Sequence, residues 1–228
     1  MNYLSIAIDG PSGSGKSTLA KMLANSLGFI YLDTGAIYRA VALYVSRAGF
    51  DPGDEAETTA LLDQCEEIHF GHVGNEQKVF FNDEDVSEEI RSPEVSIWAS
   101  FVAAYPAVRA FLLERQREFA RRCNVVMDGR DIGTVVLPDA SLKIFLNATA
   151  ERRAERRHLE LKKRGVKVSF EEVLQDIVER DERDMSREIS PLRQAADAFL
   201  VDSTELDLAQ THEMMLQLAK THLGVLPV

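Results

Sequence analysis

A glycine-rich segment near the amino terminus carries the residue types that bind phosphate. It fits the spacing Gly-x4-Gly-Lys-Ser/Thr, and its residues are Gly10, Pro11, Ser12, Gly13, Ser14, Gly15, Lys16, Ser17 and Thr18. In such a loop the backbone N–H groups converge on phosphate oxygens, and the following helix presents the positive end of its dipole. Lys16 would neutralise β and γ oxygens, and the Ser17 hydroxyl is suited to Mg²⁺. The segment therefore predicts nucleoside triphosphate binding rather than an incidental glycine-rich turn.

An acidic residue ends an apolar run in the middle of the chain. Asp128 follows Val125–Met127, and this arrangement places a carboxylate beside the metal ion in phosphate-transferring enzymes that have such a loop. We expect Asp128 to reach Mg²⁺ through a water molecule. Arg130 and Asp131 follow at the carboxyl edge of the predicted sheet, where open α/β sheets bind ligands. The alternative for Arg130 and Asp131 is a salt bridge that closes a turn.

A second polar segment follows another short apolar strand. Asp33, Thr34 and Gly35 come at its end, and Arg39 lies about one helical turn further on. The pattern indicates that these residues bind the molecule that accepts a phosphate. The alternative, a helix N-cap by Asp33 or Thr34 with an incidental surface arginine, stays open.

Four arginines are spaced along one predicted helix, namely Arg152, Arg153, Arg156 and Arg157. With Glu151 and Glu155 beside them, they could form a solvated face joined by ion pairs. Phosphoryl transfer also develops charge that enzymes with this kind of loop commonly neutralise with a mobile arginine. Both interpretations stay open for this helix.

Charged residues continue the inward face of the next predicted helix. The apolar stripe ends at Ile177, and its 100° periodicity next reaches Asp181 and Asp184, with Arg180 and Arg187 at the margin. Burying these charges unpaired would cost several kcal/mol. Either the helix ends near Val178, or this face lines a polar ligand cleft, and the pattern favours the cleft.

Strand and helix signals alternate along the chain as in a parallel α/β sheet. Apolar runs predict five strands, at Tyr3–Asp9, Phe29–Leu32, Asn124–Asp128, Leu142–Leu146 and Ala198–Asp202. Helical stripes and helix boundary residues predict helices between them, at 19–27, 37–48, 94–104, 107–122, 149–164, from 169 onward and at 206–222. The expected fold is a five-stranded parallel sheet flanked by helices.

The stretch from about 51 to 93 interrupts this alternation. A short helix near Leu61 and Cys65 precedes two predicted strands, Ile68–Val73 and Lys78–Asn82, around a turn at Gly74 and Asn75. Residues 51–99 hold 14 acidic and 2 basic residues, which accounts for the whole negative excess of the chain. We interpret the stretch as a small inserted antiparallel β subdomain.

The composition excludes several classes of protein. The formal net charge of −11 argues against a dedicated nucleic-acid binder, and no apolar run is long enough for a membrane span. The first lysine is Lys16, so no basic region precedes the short apolar stretch at the amino terminus, and no signal peptide is predicted. Cys65 and Cys123 have no pairing or metal spacing and are most simply cytosolic thiols. The sequence predicts a cytoplasmic protein without nucleic-acid or membrane partners.

The motifs together resemble one known family. They are the loop of residues 8–18, the segment 32–39, residues 128–136 with 138–140, and Arg180 to Asp184 with Arg187. In these residues the chain resembles the bacterial cytidylate kinases of the nucleoside monophosphate kinase superfamily. The resemblance implies one P-loop kinase domain with a core of residues 1–50, 94–148 and 190–228. It also implies a monophosphate-binding insert at about 51–93 and a helical lid at about 149–189.

The resemblance further implies phosphate transfer from ATP with Mg²⁺ to CMP or dCMP, carried out by a monomer. It assigns CMP binding to Thr34, Arg39, Ser100, Arg109, Arg130, Asp131, Arg180, Asp184 and Arg187. It assigns catalysis to Lys16, Asp128, Arg130, Arg153 and Arg156, the last two belonging to the lid with Arg157. The preference for cytosine comes from this resemblance alone.

Two alternatives remain at the level of sequence. One is another small-molecule kinase on the same scaffold, acting on UMP, AMP or shikimate. The other is a switch that hydrolyses a nucleotide to control a partner, although the sequence lacks the Asn/Thr-Lys-x-Asp motif that reads guanine.

Overall fold

Five parallel strands form the central sheet of the computed structural model, which describes residues 3–62, 68–73, 76–81, 83–163 and 165–225. The strands are β1 (Ser5–Asp9), β2 (Ile30–Asp33), β6 (Val125–Gly129), β7 (Leu142–Asn147) and β8 (Phe199–Asp202). In the sheet they lie in the order β2-β6-β1-β7-β8. The predicted parallel sheet is therefore confirmed, with each strand boundary within two residues of its expected position.

The strand register brings the acidic strand ends to one edge. Strand β1 pairs with β6 so that Asp9 lies opposite Gly129, and β2 pairs with β6 so that Asp33 lies opposite Asp128. Because parallel strands all run toward the same edge, residues far apart in sequence meet there. Asp9, Asp33 and Asp128 thus lie side by side at the carboxyl edge.

Helices cover both faces of the sheet, since side chains along a strand alternate between faces. On one face, α1 (Lys16–Leu27) and α8 (Leu208–Leu223) pack on strand residues such as Ile8 and Ile144. On the other face, α2 (Thr34–Arg47) packs on residues such as Met127. The sheet thus lies between two clusters of buried apolar side chains.

Two further helices follow the insert and complete the second face. These are α4 (Pro93–Val102) and α5 (Pro106–Ala120), each beginning at the proline that suits a first helical position. Among the described residues no single helix is long and apolar enough to cross a membrane. Taken together across a bend of 98°, α4 and α5 pass the same test of length and composition.

The insert contains α3 (Glu55–Leu61) and a small antiparallel sheet of β3 (Ile68–Val73), β4 (Glu76–Phe81) and β5 (Glu84–Asp85). The two predicted strands are confirmed, but β5 was not predicted because two residues show no periodicity. Cys65, Asn82 and the expected turn at Gly74 and Asn75 lie outside the described residues.

Contacts between the insert and α2 fix its place beside the sheet edge. The side chain of Gln77 accepts a hydrogen bond from Asp33 N at 2.6 Å and donates to Asp33 O at 3.3 Å. Phe81 packs edge-on against Tyr44, and Arg47 pairs with Glu84. The insert is therefore attached at the same strand end that carries the Asp33 motif.

A helical hairpin lies between β7 and β8, where the sequence predicts a lid. Its helices are α6 (Ala150–Lys163) and α7 (Phe170–Ser186), and Ser169 with Glu172 forms the expected capping box. The hairpin has its own small apolar cluster, in which Ala154 packs with Val173 and Ile177. Arg164, the expected end of α6, lies outside the described residues. Helix α7 continues well past Val178, so the interpretation that it ends there is wrong.

Candidate active site

The glycine-rich loop joins β1 to α1 at the centre of the carboxyl edge. Gly13 and Gly15 have φ angles of 74° and 87°, which a residue with a side chain rarely adopts. A Cβ atom on Gly10 would lie 2.1 Å from the carbonyl oxygen of Leu146, so only glycine fits there. The predicted placement between a strand and a helix is confirmed, with Lys16, Ser17 and Thr18 opening α1.

Lys16 is buried beneath this loop. Its Nζ donates a hydrogen bond to the carbonyl oxygen of Pro11 at 3.0 Å. Burial and the nearby Arg130 guanidinium hold the pKa of Lys16 well below its usual range, while Asp128 acts in the opposite direction. An anion bound at the loop would therefore stabilise the charged form of the Lys16 amine.

Asp128 is the centre of a hydrogen-bond network that joins β6 to three other elements. Ser17 Oγ donates to its Oδ2 at 2.7 Å, and Tyr31 Oη donates to its Oδ1 at 2.8 Å. Thr34 Oγ1 donates to the main-chain oxygen of Asp128 at 2.7 Å. Tyr31 was missed in the sequence, because a tyrosine within an apolar strand is usually a core residue. Its position two residues before Asp33 could have placed it on the same face.

Ser17 and Asp128 are suited to hold a magnesium ion. Both offer oxygen atoms, the ligands that Mg²⁺ prefers, and these atoms already lie 2.7 Å apart. Among the described residues no group of three or more His, Cys, Asp or Glu side chains could hold a metal. The two oxygen donors of Ser17 and Asp128 fit an ion that takes its remaining ligands from water and phosphate.

The charged face of α7 lies against the end of β6. Arg130 Nε donates to Asp184 Oδ2 at 2.7 Å, and Arg187 pairs with the other oxygen of Asp184. Burial opposes ionisation of Asp184, but the two guanidinium groups outweigh it and lower its pKa. The charges at the predicted core positions are thus paired rather than solvated.

At the start of α2 the Asp33 carboxylate makes two contacts, one of which is the N-cap considered from the sequence. Its Oδ1 accepts from Ala36 N at 2.9 Å as a helix N-cap, and its Oδ2 accepts from Arg39 at 2.8 Å. Arg39 is therefore held toward the sheet edge rather than standing as an incidental surface residue.

These groups form what we call the arginine cluster, which consists of Arg39, Arg130, Arg180 and Arg187 with Asp33 and Asp184. Four cations and two carboxylates leave an excess of two positive charges. Burial, followed by the repulsion of Arg130, lowers the pKa of Arg180 to about 10. Within the described residues, the buried Nε atoms of Arg39 and Arg180 have no hydrogen-bond partner. The cluster thus has both unmatched charge and unused donors for an anion.

Arg109 and Asp131 form a separate buried ion pair beside the cluster. Arg109 also donates to the carbonyl oxygen of Ala103 at 2.9 Å, and its guanidinium lies 5.7 Å from the ring centre of Tyr38. Ser100 lies on α4 and donates to Ile97 O at 2.6 Å. None of its hydrogen bonds within the described residues reaches the arginine cluster.

The arginines of α6 divide into two kinds. Arg153 is buried beside the loop, donating to Ser12 O at 2.9 Å and pairing with Asp181 at 2.6 Å. Arg156 points elsewhere and donates to the carbonyl oxygens of Ser203 and Leu206. Arg152 and Arg157 pair with Glu155 and Glu160 at the surface. The interpretation as a solvated, ion-paired face therefore describes Arg152 and Arg157, and a role of Arg153 in phosphoryl transfer stays a prediction.

Comparison with known proteins agrees with this geometry. A family model described as cytidylate kinase matches residues 6–221. A cytidylate kinase of Caldicellulosiruptor bescii is 49% identical, with 96% of each chain covered. One of Carboxydothermus hydrogenoformans is 50% identical, with 93% of this chain and 96% of the relative covered.

A solved structure, an uncharacterized protein from Eubacterium ventriosum, shares the fold with a TM-score of 0.50. It is 14% identical, and the match covers 94% of this chain and 96% of that one. The family model and the relatives extend over nearly the whole chain and include the loop, the strand-end motifs and α7. The chain belongs to the cytidylate kinase family.

Proposed function

We propose that the chain transfers the γ-phosphate of ATP to CMP or dCMP, forming ADP and CDP or dCDP. The observation that supports it is the arginine cluster, whose excess of two positive charges lies beside a triphosphate-binding loop. A phosphate monoester carries nearly two negative charges at neutral pH, because its second pKa is about 6. The cluster therefore matches a monophosphate acceptor in charge, and the relatives bearing the name cytidylate kinase support cytosine as its base.

Such an acceptor needs positioning rather than activation by a base. Its attacking oxygen is already anionic, so neutralising charge and aligning the two phosphates supply most of the catalysis. Lys16 would stabilise the β and γ phosphates of the donor, and Arg153 lies next to the loop. Arg130 would hold the acceptor phosphate while Asp184 fixes the guanidinium from behind.

We further propose that Mg²⁺ enters with ATP and is held by Ser17 directly and by Asp128 through water. The ion would neutralise phosphate charge and orient the β and γ groups. Tyr31 and Thr34 hold Asp128 in the required orientation from β2 and α2.

The insert at about 51–93 and the lid at about 149–189 are proposed to close over the bound nucleotides. Closure would exclude water, which otherwise competes with CMP for the γ-phosphate. We also propose that the chain acts as a monomer in the cytoplasm, as the family resemblance implies. It is proposed to have no nucleic-acid partner, which its formal net charge of −11 favours.

The first experiment is an acceptor panel. ADP formation from ATP would be measured with CMP, dCMP, UMP, AMP, GMP, dTMP, shikimate and no acceptor, each with Mg²⁺ and with excess EDTA. We expect turnover mainly with CMP and dCMP, and only with Mg²⁺. Strong turnover with another acceptor would replace cytosine but keep the kinase. Equal turnover without an acceptor would indicate a hydrolysing switch instead.

Nucleotide binding is expected to take up a proton at pH 8. Burial depresses the pKa of Lys16 in the free site, and bound phosphates would raise it by stabilising the ammonium form. Asp128 contributes little at this pH, because burial raises its pKa only to about 6. Calorimetry of ATP binding in two buffers of different ionisation enthalpy measures the uptake. Equal apparent enthalpies in both buffers, or an uptake that persists in Lys16→Met, would contradict this prediction.

A further inference from the structure

Asp9 is a buried carboxylate at the end of β1 that the proposed reaction does not use. Its two oxygens accept hydrogen bonds from Ile132 N and Gly133 N, each at 2.7 Å. Only 4% of the residue is exposed. The two amides open a π-helical turn, Ile132–Val136, which directly follows Arg130 and Asp131.

The packing of Gly133 shows how closely the carboxylate approaches this turn. A Cβ atom at Gly133 would lie 3.3 Å from Asp9 Oδ2 and 3.1 Å from Lys143 Cδ. The turn therefore lies between the Asp9 carboxylate and the Lys143 side chain, and a Cβ atom at position 133 would press on both. Lys143 is itself fixed by its ion pair with Asp197.

The backbone just before residues 130 and 131 is equally confined. A Cβ atom at Gly129 would lie 2.7 Å from Ile132 Cδ1 and 2.8 Å from Thr34 Oγ1. Residues 130 and 131 thus stand between two ends that are both fixed, one by packing against α2 and the other by Asp9. Their side chains leave this short segment toward Asp184 and Arg109 respectively.

We propose that Asp9 is a positioning residue for the acceptor, holding the backbone that aims Arg130 and Asp131. The proposal rests on the proposed function, since it assigns these two residues to the acceptor side. A carboxylate can accept from both amides at once, one with each oxygen. An asparagine has one acceptor and would turn its NH₂ group toward the other amide. Burying an acid is costly, and its pKa is raised to about 7 by burial despite both hydrogen bonds.

The position of Asp9 next to Gly10 makes two roles distinguishable. If Asp9 only supports β1 and the glycine-rich loop, its loss would affect ATP at least as much as CMP. If it positions the Arg130 segment, its loss would raise KM for CMP selectively. The ratio of the two KM changes therefore separates a positioning role from a general structural one.

The test uses Asp9→Asn and Gly133→Ala in the full chain, with thermal unfolding measured for each. Gly133→Ala keeps the carboxylate but places a Cβ atom 3.3 Å from its Oδ2, so it crowds the same contact from the other side. We expect KM for CMP to rise about 10-fold or more in each, as for loss of a hydrogen bond to a charged group. KM for ATP should change less than about 3-fold. Glu213→Gln, at an exposed glutamate on α8, should change neither KM.

The double variant adds a check of shared mechanism. Because both substitutions break one contact, their effects on KM for CMP should not multiply. A shift of both KM values together, or multiplying effects, would overturn the proposal. Should Asp9→Asn fail to fold, Gly133→Ala alone decides, and an unchanged KM for CMP rejects it. If the wild-type chain does not phosphorylate CMP at all, the proposed function fails instead.

Discussion

Replacing Lys16 by alanine is expected to lower kcat on the order of 10²–10³-fold while the chain remains folded. The amine is the cation placed beneath the glycine-rich loop, where charge develops on the transferring phosphate. Folding should tolerate its loss, because burial depresses the pKa of Lys16 and its charged form gains little from the protein without a nucleotide. Steady-state rates with CMP and the thermal midpoint of unfolding measure the two effects.

Lys220→Ala provides the matched control for charge and size. This lysine lies in the last turn of α8, far along the chain from the loop. It should leave kcat unchanged, with at most a small loss of stability. Near-normal turnover in Lys16→Ala would reject the assignment of the loop to the donor phosphates.

The second large effect is expected on the acceptor side, at Arg130. Arg130→Ala should raise KM for CMP by about 10- to 100-fold, the range for losing hydrogen bonds to a charged group. KM for ATP should change little. The variant should still fold, since Asp184 keeps its ion pair with Arg187. Initial rates over a grid of ATP and CMP concentrations separate the two constants.

Arg122→Ala is the control for this variant. Arg122 is exposed and pairs with Glu118 in the preceding helical turn, so neither KM should change. A further variant, Arg130→Lys, keeps the charge but loses the planar guanidinium, and it should recover only part of the affinity. Unchanged acceptor kinetics in Arg130→Ala would remove Arg130 from the acceptor site.

Local signals in the sequence were enough for the framework of the site. The glycine-rich loop, the acid after Met127 and the Asp33 motif each depend on neighbouring residues, and all three lie where they were predicted. The polar face of α7 was also predictable, because helical periodicity carries the apolar stripe from Ile177 onto Asp181 and Asp184. Alternating strands and helices then limited the fold to a parallel sheet.

Contacts between segments far apart in the sequence could not be predicted from local signals. The bonds from Asp9 to Ile132 and Gly133 depend on the register between β1 and β6, which periodicity does not give. The role of Tyr31 likewise depends on β2 lying next to β6. The π-helical turn was not predicted, since its five residues carry no separate pattern. Cytosine was named only through family resemblance, as no single residue type in the cleft is characteristic of that base.

The strand order β2-β6-β1-β7-β8 determines when the glycine-rich loop can form during synthesis. Strand β1 leaves the ribosome first, but both of its neighbours come much later, as the bond from Leu4 N to the Asn124 side chain, 120 positions away, illustrates. At 5–20 residues per second, β1 waits on the order of 10 s for β6. Its apolar residues stay unpaired for that time and are open to chaperones or to aggregation. The most recognisable motif of the sequence is thus completed only after most of the chain has been made.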